Sequence, residues 1–436
     1  MSANIPPGNN EERQEHGTRL PDVAPPPNGS YPPAMLGFGK KQLDLDTPGK
    51  DGGVMRSRIL AALSKVPCPP ITDDIVEAGI VAGLRADKDG LTVELLLPTP
   101  ALKARKAFEQ SVTETAKGVV DVDVHLDVKS KVRASSGSPD GKQDLPGIAN
   151  VILVASGKGG VGKSTVASNL AVALAKLGCK VGLLDADIYG PSAPVMFGIA
   201  EGTRPGSVPG PDPAKPKIAP LDRYGVRLMS IGFLVDTSTP MVWRGPMIAS
   251  AAMQLFKDVH WGELDYLIVD MPPGTGDVQL TISQQVIVCG AVVCSTPQDV
   301  ALADVIRAKA MFDKVSIPIL GVVENMSYFI CDQCSKRHEI FTHGGARQAA
   351  ERMRVPFLAE IPLESDVVKG GDQGKPVVLG APDSKSAAAF TALAEEVATA
   401  VAKVAHDMRE ALAGPTISIT GGDVGGAKKK RGLPII

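Results

Sequence analysis

Aromatic residues are scarce: Phe, Trp and Tyr together make up 4% of the 436 residues. That argues against a protein that grips single strands by stacking bases. An excess of one charge sign is also missing. Lys and Arg total 46 against 48 Asp and Glu, a formal net charge of −2, so nothing global points to nucleic acid or an anionic membrane as partner. No run approaches the roughly 18 apolar residues of a membrane-spanning helix. Val286 to Cys294, nine residues long, reads instead as a buried strand. The opening Met-Ser-Ala-Asn-Ile-Pro-Pro has no basic stretch followed by an apolar one, which predicts no secretory leader and a cytoplasmic protein. Six cysteines in so long a chain form no disulfide framework. Cys68, Cys179, Cys289 and Cys294 stand alone, and the last two read as small core residues. No internal repeat is visible.

What is present divides the chain. Residues 1–53 are rich in proline and polar residues, nine prolines falling before residue 53, and predict a disordered tail. Residues 54–129 predict a small α+β domain in the order α-β-β-α-β: a helix over Met55–Lys65, strands over Gly79–Ala86 and Leu91–Leu97 around the turn Asp87-Lys88-Asp89-Gly90, a helix over Ala101–Lys117, and a half-buried strand over the alternating Val120–Val128. Residues 130–147, with Ser, Gly and charge, read as a flexible linker. From 148 to 405, short continuous apolar strands alternate with helices. These are Val151–Ala155, Lys180–Leu184, Tyr266–Val269, Val286–Cys294 and Ile319–Val323, with Val166–Leu177 and Val300–Val315 helical between them. That pattern predicts an α/β fold with a mostly parallel sheet covered by helices on both faces. Arg204–Pro220, with six prolines, is an excursion loop, and Lys385–Glu410 a closing helix. Residues 406–436 end that helix and add a Gly-rich tail closing on Lys428-Lys429-Lys430-Arg431, a solvated basic run.

The most informative stretch is Gly157-Lys158-Gly159-Gly160-Val161-Gly162-Lys163-Ser164-Thr165, directly after an apolar strand and before a helix. It fulfils G-x-x-x-x-G-K-[ST], the loop that cradles a nucleotide triphosphate. Glycines let backbone N–H groups turn inward as an anion nest, and the helix N-terminus adds positive dipole. Lys163 can reach the β- and γ-phosphates, the Ser164 hydroxyl can ligate Mg²⁺, and Thr165 can reach the α-phosphate. Lys158 is an additional cation in the loop. Two apolar strands run into aspartates, Asp185-Ala186-Asp187 and Asp270, at the strand ends where ligands bind in such sheets. Lys158 and Lys163, with Mg²⁺, supply positioned cations of the kind phosphoryl transfer needs. No Asn-Lys-x-Asp guanine reader is present, so adenine is the expected base.

Cys331-Asp332-Gln333-Cys334 is the second informative feature. A close thiol pair outside an oxidising compartment points to metal or redox chemistry. Three readings stand. Cys331, Cys334, His338 and His343 give four ligands with zinc-like spacing. A thiol–disulfide switch is the second, although its usual helix-opening context is missing. The third is an iron–sulfur cluster, which normally takes four thiolates and would need two chains here.

The nucleotide loop resembles the deviant Walker A motif of the MinD/ParA/ArsA/nitrogenase-iron-protein class. The resemblance implies that Lys158 reaches the nucleotide of a partner subunit in a homodimer, that Asp187 faces water and Mg²⁺, that Asp270 is a Walker B aspartate in the outer Mg²⁺ shell, and that the Asn325 amide meets the purine. Several stretches narrow the likeness. They are Asp187-Ile188-Tyr189-Gly190-Pro191-Ser192, Trp243-Arg244-Gly245-Pro246, Asp270-Met271-Pro272-Pro273-Gly274-Thr275-Gly276-Asp277, and Glu324-Asn325-Met326-Ser327 with the cysteine pair just beyond. Together they resemble the Mrp/ApbC iron–sulfur carrier ATPases over residues 148 to about 400. Residues 54–129 resemble the PaaD/SufT-like domain often fused in front of them, most clearly at Ile75–Val81. That domain's usual Asp-Pro-Glu reads Cys68-Pro69-Pro70 here, and the cysteine usual after Thr-Pro is missing at Thr99-Pro100-Ala101-Leu102.

The resemblance implies a homodimeric ATPase that uses ATP and Mg²⁺, holds a [4Fe–4S] cluster through Cys331 and Cys334 of both subunits, and passes it to apo iron–sulfur proteins with cluster-assembly factors as further partners. No nucleic-acid or membrane partner is expected. The alternative is a ParA/MinD-like positioning ATPase with structural zinc at the cysteine pair. Its membrane-seeking or DNA-binding tail is not evident in the Gly-rich C-terminus. A reductase like the nitrogenase iron protein comes third, because its cysteines lie far apart in sequence.

Overall fold

The computed structural model describes residues 43–47, 54–135, 145–188, 190–210, 212, 214–234, 245–274, 277–298, 300–331 and 333–413. The proline-rich 1–42, most of the linker (136–144), Tyr189, Trp243, Arg244, Thr275, Gly276 and the Gly-rich tail 414–436 lie outside the described residues.

The smaller part comprises α1 (Met55–Leu63), β1 (Val81–Asp87), β2 (Gly90–Leu97), α2 (Arg105–Lys117) and β3 (Val124–Ser130). β1 and β2 form an antiparallel hairpin through the turn before Gly90, and β3 pairs with β2 in parallel. Ile59, Leu63, Val93, Leu95 and Val112 are fully or nearly fully buried between sheet and helices. Two boundaries differ from the sequence expectation. α2 starts at Arg105, because Ala104 is left-handed at φ 53°. The residues before it are held elsewhere: the Lys103 N–H donates to Thr399 Oγ1 at 2.9 Å, and Lys103 Nζ meets Glu396 at 2.5 Å. β3 starts at Val124, since the Val120 N–H continues the helical pattern to Ala116 O. Inside the stretch expected to be disordered, Leu45 is buried in this small core and Asp46 pairs with Arg56 at 2.7 Å. A buried leucine contributes about 2 kcal/mol, and the Arg56 N–H bond to Leu45 O adds to what holds the segment against its entropy.

The larger part runs β4 (Ile148–Ala155), α3 (Lys163–Lys176), β5 (Val181–Asp185), α4 (Ala193–Met196), β6 (Ser207–Val208), β7 (Lys217–Ile218), β8 (Leu221–Arg223), β9 (Val226–Ser230), α5 (Gly245–Asp258), β10 (Leu264–Asp270) and α6 (Asp277–Gln285). It continues through β11 (Gly290–Ser295), α7 (Val300–Lys314), β12 (Ile319–Glu324), β13 (Phe329–Ile330), β14 (Arg337–His338), α8 (Gly345–Met353), β15 (Phe357–Glu360), α9 (Ser365–Asp372), α10 (Val377–Gly380) and α11 (Lys385–Ala413). Eight strands form one sheet in the order β15-β12-β11-β4-β10-β5-β9-β8, parallel except for β8 on the edge. The inner strands are unbroken apolar runs because helices cover both faces. The α/β architecture expected from the sequence is therefore present.

Three local expectations change. Val286–Cys294 is not one strand. A helix ends at Gln285, the chain turns, and pairing with β4 begins only at Gly290. Val286 and Cys289 are buried in the turn, so continuous apolarity signalled burial rather than strand. The Arg204–Pro220 excursion contains a small antiparallel ribbon, β6 with β7. The first linker residues are tied down: the Ser135 N–H donates to Asn150 Oδ1, and Asn150 Nδ2 donates to Arg133 O.

The closing helix α11 serves both cores. Phe390, Leu393, Val397 and Val401 pack into the large one, Ala402 into the small one. Ala101, from the smaller part, is buried in the large core, and buried Tyr266 donates its hydroxyl to Thr99 Oγ1 at 2.9 Å. Tyr266 lies near the amino end of β10. At the other end, the strand register sets Asp270 opposite Asp185, Asp185 opposite Ser230, and Ser295 opposite Glu324.

Candidate functional site

β4 ends at Ala155, and the loop Gly157–Gly162 leads straight into α3. Gly162 caps that helix at φ +81°, and a Cβ there would lie 2.2 Å from Asn325 Nδ2. Only glycine satisfies both the left-handed backbone and that close approach. Gly159 and Gly160 are exposed, Gly157, Lys158, Gly162, Ser164 and Thr165 half-buried, and Val161 buried. The Ser156 hydroxyl donates to Lys158 O at 2.8 Å, tying the loop's start.

Lys163 is only 6% exposed and turns toward the acidic strand ends. Its ammonium lies 2.5 Å from Asp270 Oδ1, 3.7 Å from Asp187 Oδ2 and 3.2 Å from Ser164 Oγ. P-loop lysine, hydroxyl and two acidic stations thus converge within one polar pocket, from three separate stretches of sequence. Asp187 Oδ1 is buried without a hydrogen-bond partner. A buried carboxylate oxygen with no partner costs free energy, and its presence beside an ammonium marks a place shaped for a cation.

Asp185 has no exposed surface and accepts from Asp187 N, Ala193 N and Ser230 Oγ, each at 3.1 Å. Burial, with Asp270 as a close second charge, pushes its carboxyl up to about 7. Burial also raises Asp270 above the ordinary carboxylate range, against the pull of Lys163. Asp185 therefore ties the segment carrying Asp187 and α4 to the sheet rather than facing the pocket. The sequence reading gave Ser230 no role. The signal for it was a polar residue ending an apolar strand.

Asn325 follows β12, is 5% exposed, and donates from Nδ2 to Val161 O at 2.9 Å. Its own N–H donates to Ser295 O. The amide thus supports the P-loop from beneath, with its nitrogen engaged inside the chain.

The cysteine pair lies on the excursion that leaves β12. β13 and β14 form a two-residue ribbon, and the chain between them turns through Cys331 N–H to Lys336 O at 3.0 Å and Ser335 N–H to Cys331 O at 2.8 Å. Cys331 is half-buried and Cys334 exposed. The other four cysteines are buried. Burial pushes the thiols of Cys68 and Cys289 up to about 11 and those of Cys179 and Cys294 up to about 12. Thiolate is the form that binds metal, so accessibility singles out Cys331 and Cys334. His338 and His343 do not complete a four-ligand set with them. His338 packs beside the Phe329 ring, and His343 Nδ1 stands 3.3 Å from Arg337 and 3.4 Å from Glu339. Among the described residues, no three His, Cys, Asp or Glu gather closely enough to hold a metal ion. The ribbon is fastened to the sheet edge by Arg337, which stacks 3.9 Å from the Tyr328 ring centre and pairs with Glu360, itself shared with Arg347.

Among the described residues, no helix is long and apolar enough to cross a membrane.

Comparison with known proteins agrees with this layout. Residues 147–398 match the family described as NUBPL iron-transfer P-loop NTPase, and residues 56–126 match the iron–sulfur cluster assembly protein family. An iron–sulfur cluster carrier protein of Deinococcus radiodurans is 45% identical over 79% of this chain and 95% of its own length. One from Escherichia coli K12 is 40% identical over 82% and 95%. A mitochondrial iron–sulfur protein required for NADH dehydrogenase, from Arabidopsis thaliana, is 49% identical over 63% and 85%. A solved nucleotide-binding protein from Archaeoglobus fulgidus, in complex with ADP, is 40% identical over 56% of this chain and 93% of that one, with a TM-score of 0.48. A match across more than half of the chain, and relatives covered almost end to end, show that this chain belongs to the NUBPL iron-transfer P-loop NTPase family, alongside the iron–sulfur cluster carrier proteins.

Proposed function

We propose that this ATPase of the iron–sulfur carrier family carries its cargo as a [4Fe–4S] cluster between two copies of itself, bound by Cys331 and Cys334 of each, and delivers it to apo iron–sulfur proteins in the cytoplasm, with cluster-assembly factors supplying it. One observation carries the reading. The accessible thiols sit on the excursion that begins at Asn325, whose amide supports the P-loop. Nucleotide and cargo therefore share one segment of chain. Two thiols per chain are half of what such a cluster takes, and a two-fold axis repeats them. Among the described residues His338 and His343 do not gather with the thiols into a metal-holding group, which favours the shared cluster over the zinc alternative.

In this reading Gly157 to Thr165 wrap the phosphates, and Lys163 leaves Asp270 for the β- and γ-phosphates. Lys158 contributes charge to the partner's nucleotide. Ser164 and Asp187 would hold Mg²⁺, with Asp270 behind them, and the unpartnered Asp187 Oδ1 fits that role. The ion would neutralise charge developing on the phosphate oxygens. Asp187 orients the attacking water, and Asn325 turns its remaining amide capacity to the adenine. The smaller part, 54–129, is proposed as a domain in its own right, joined by a linker at 130–147 to the ATPase domain over 148–405.

The test is anaerobic iron and sulfide reconstitution, with metal analysis of the wild type and of Cys331→Ser. Four irons and four sulfides per two chains are expected, and none in the variant, while nucleotide binding persists. One zinc per chain without sulfide would overturn the reading.

A further inference from the structure

Glu324 ends β12 and is fully buried, yet the nucleotide chemistry makes no use of it. Its two carboxylate oxygens take different partners. Oε1 accepts from Ser327 Oγ at 2.7 Å, and Oε2 accepts from the Ala346 N–H at 2.9 Å. Ser327 and Ala346 are the two feet of the excursion that carries Cys331 and Cys334. One carboxylate therefore clamps both ends of the cysteine-bearing segment.

The surroundings make the clamp stiff. At the first foot, the Ser327 N–H donates to Ile361 O, the Ile361 N–H to Glu324 O, and Met326 takes a left-handed backbone at φ 55°. At the second foot, Thr342 Oγ1 donates to Pro297 O at 2.9 Å, and a Cβ on Gly345 would lie 2.2 Å from the same carbonyl. No side chain fits there, so α8 starts hard against the loop after β11. On the other side, the next residue, Asn325, reaches Val161 in the P-loop. Phosphate loop, Asn325, Glu324 and both feet of the hairpin are thus linked by consecutive short contacts. Packed, bonded networks of this kind shift between discrete arrangements rather than deforming smoothly.

We propose that Glu324 is a positioning residue that transmits nucleotide occupancy at the P-loop to the spacing and exposure of Cys331 and Cys334. The inference rests on the carrier reading for its purpose but not for its measurement. Glu324→Ala leaves neither the Ser327 hydroxyl nor the Ala346 N–H an acceptor, so both feet are released.

Hydrogen–deuterium exchange of the full chain, with and without MgATP, reads the consequence in peptides covering Cys331 and Cys334. In the wild type the nucleotide should change their exchange. In Glu324→Ala that change should shrink by about fivefold or more while MgATP affinity stays near wild type, and the melting temperature falls because two buried hydrogen bonds are lost. A purely structural cap would move the melting temperature and leave the nucleotide response. An equal response in both proteins, or none in the wild type, overturns the proposal. Should Glu324→Ala fail to fold, Ser327→Ala releases the first foot alone, and an undiminished response there has the same force. On reconstituted protein, the variant should also lose the effect of MgATP on the rate of cluster release. If neither protein takes up iron and sulfide, the carrier reading falls while the exchange result still decides the coupling.

Discussion

The nucleotide pocket and the cysteine ribbon meet at the end of β12 but are built on opposite lines. In the pocket, Lys163, Asp187 and Asp270 are nearly or fully buried: Lys163 opens α3, Asp270 ends β10, and the Asp187 N–H is held by the buried Asp185 carboxylate. The ribbon has two residues per strand, an exposed thiol, and charged side chains in the open. A phosphate site gains from burial, because preorganised charges act more strongly where water is excluded. A cargo site must stay reachable by whatever gives and takes the cargo. One chain thus sets a buried, preorganised pocket against an exposed ribbon, with the buried Glu324 between them.

The sharpest way to break the contrast is at Lys163. Lys163→Gln removes the ammonium from Asp270 and from the phosphates. ATP hydrolysis should fall by at least about a hundredfold, the scale of losing one positioned charge or donor. Iron and sulfide uptake at Cys331 and Cys334 should persist. Phosphate-release assays and metal analysis on the same preparation check both halves, and a joint loss would mean the two regions are not separate devices.

A smaller effect follows from burial alone. The Asp185 carboxyl is raised from 3.8 to about 7. Between those values the folded chain keeps a proton that the unfolded chain has released. Its contribution to stability therefore falls as pH rises through that window and levels off above it. The nucleotide-free protein should melt at a lower temperature near pH ~7.5 than near pH ~5.5, and Asp185→Asn should flatten that part of the slope. A Cys334→Ser control should leave the slope unchanged. An unaltered slope in Asp185→Asn would assign the proton elsewhere.

The smallest effect belongs to the ribbon. Arg337→Ala removes the stack on Tyr328 and one arm of the Glu360 pair. The groups are partly exposed, so global stability should change by no more than about 1 kcal/mol. Exchange of the ribbon amides should nevertheless rise, because little else fastens so short a ribbon.

The sequence made much of this legible. The P-loop announced itself because its function requires backbone shape, and backbone shape requires glycine at fixed spacing. The inner strands were visible because burial on both faces leaves no polar positions. The same rule misled at Val286–Cys294, where a buried turn is as apolar as a strand. Leu45 and Ser135 were missed because each is ordered by a single tertiary contact set, with no periodic pattern around it. Glu324 opens the Glu-Asn-Met-Ser stretch, and nothing in one dimension shows that its two oxygens reach residues 3 and 22 positions away.

Sequence by itself determined the parallel α/β scaffold, the nucleotide loop and the candidate thiol pair, because each is written as local periodicity or fixed spacing. Only the tertiary structure decided that Lys163 rests on Asp270, that His338 and His343 stand apart from the thiols as ligands, and that one carboxylate clamps the cysteine excursion. Those facts depend on which strand ends are neighbours. Pairing between distant segments decides that, and no local pattern encodes it.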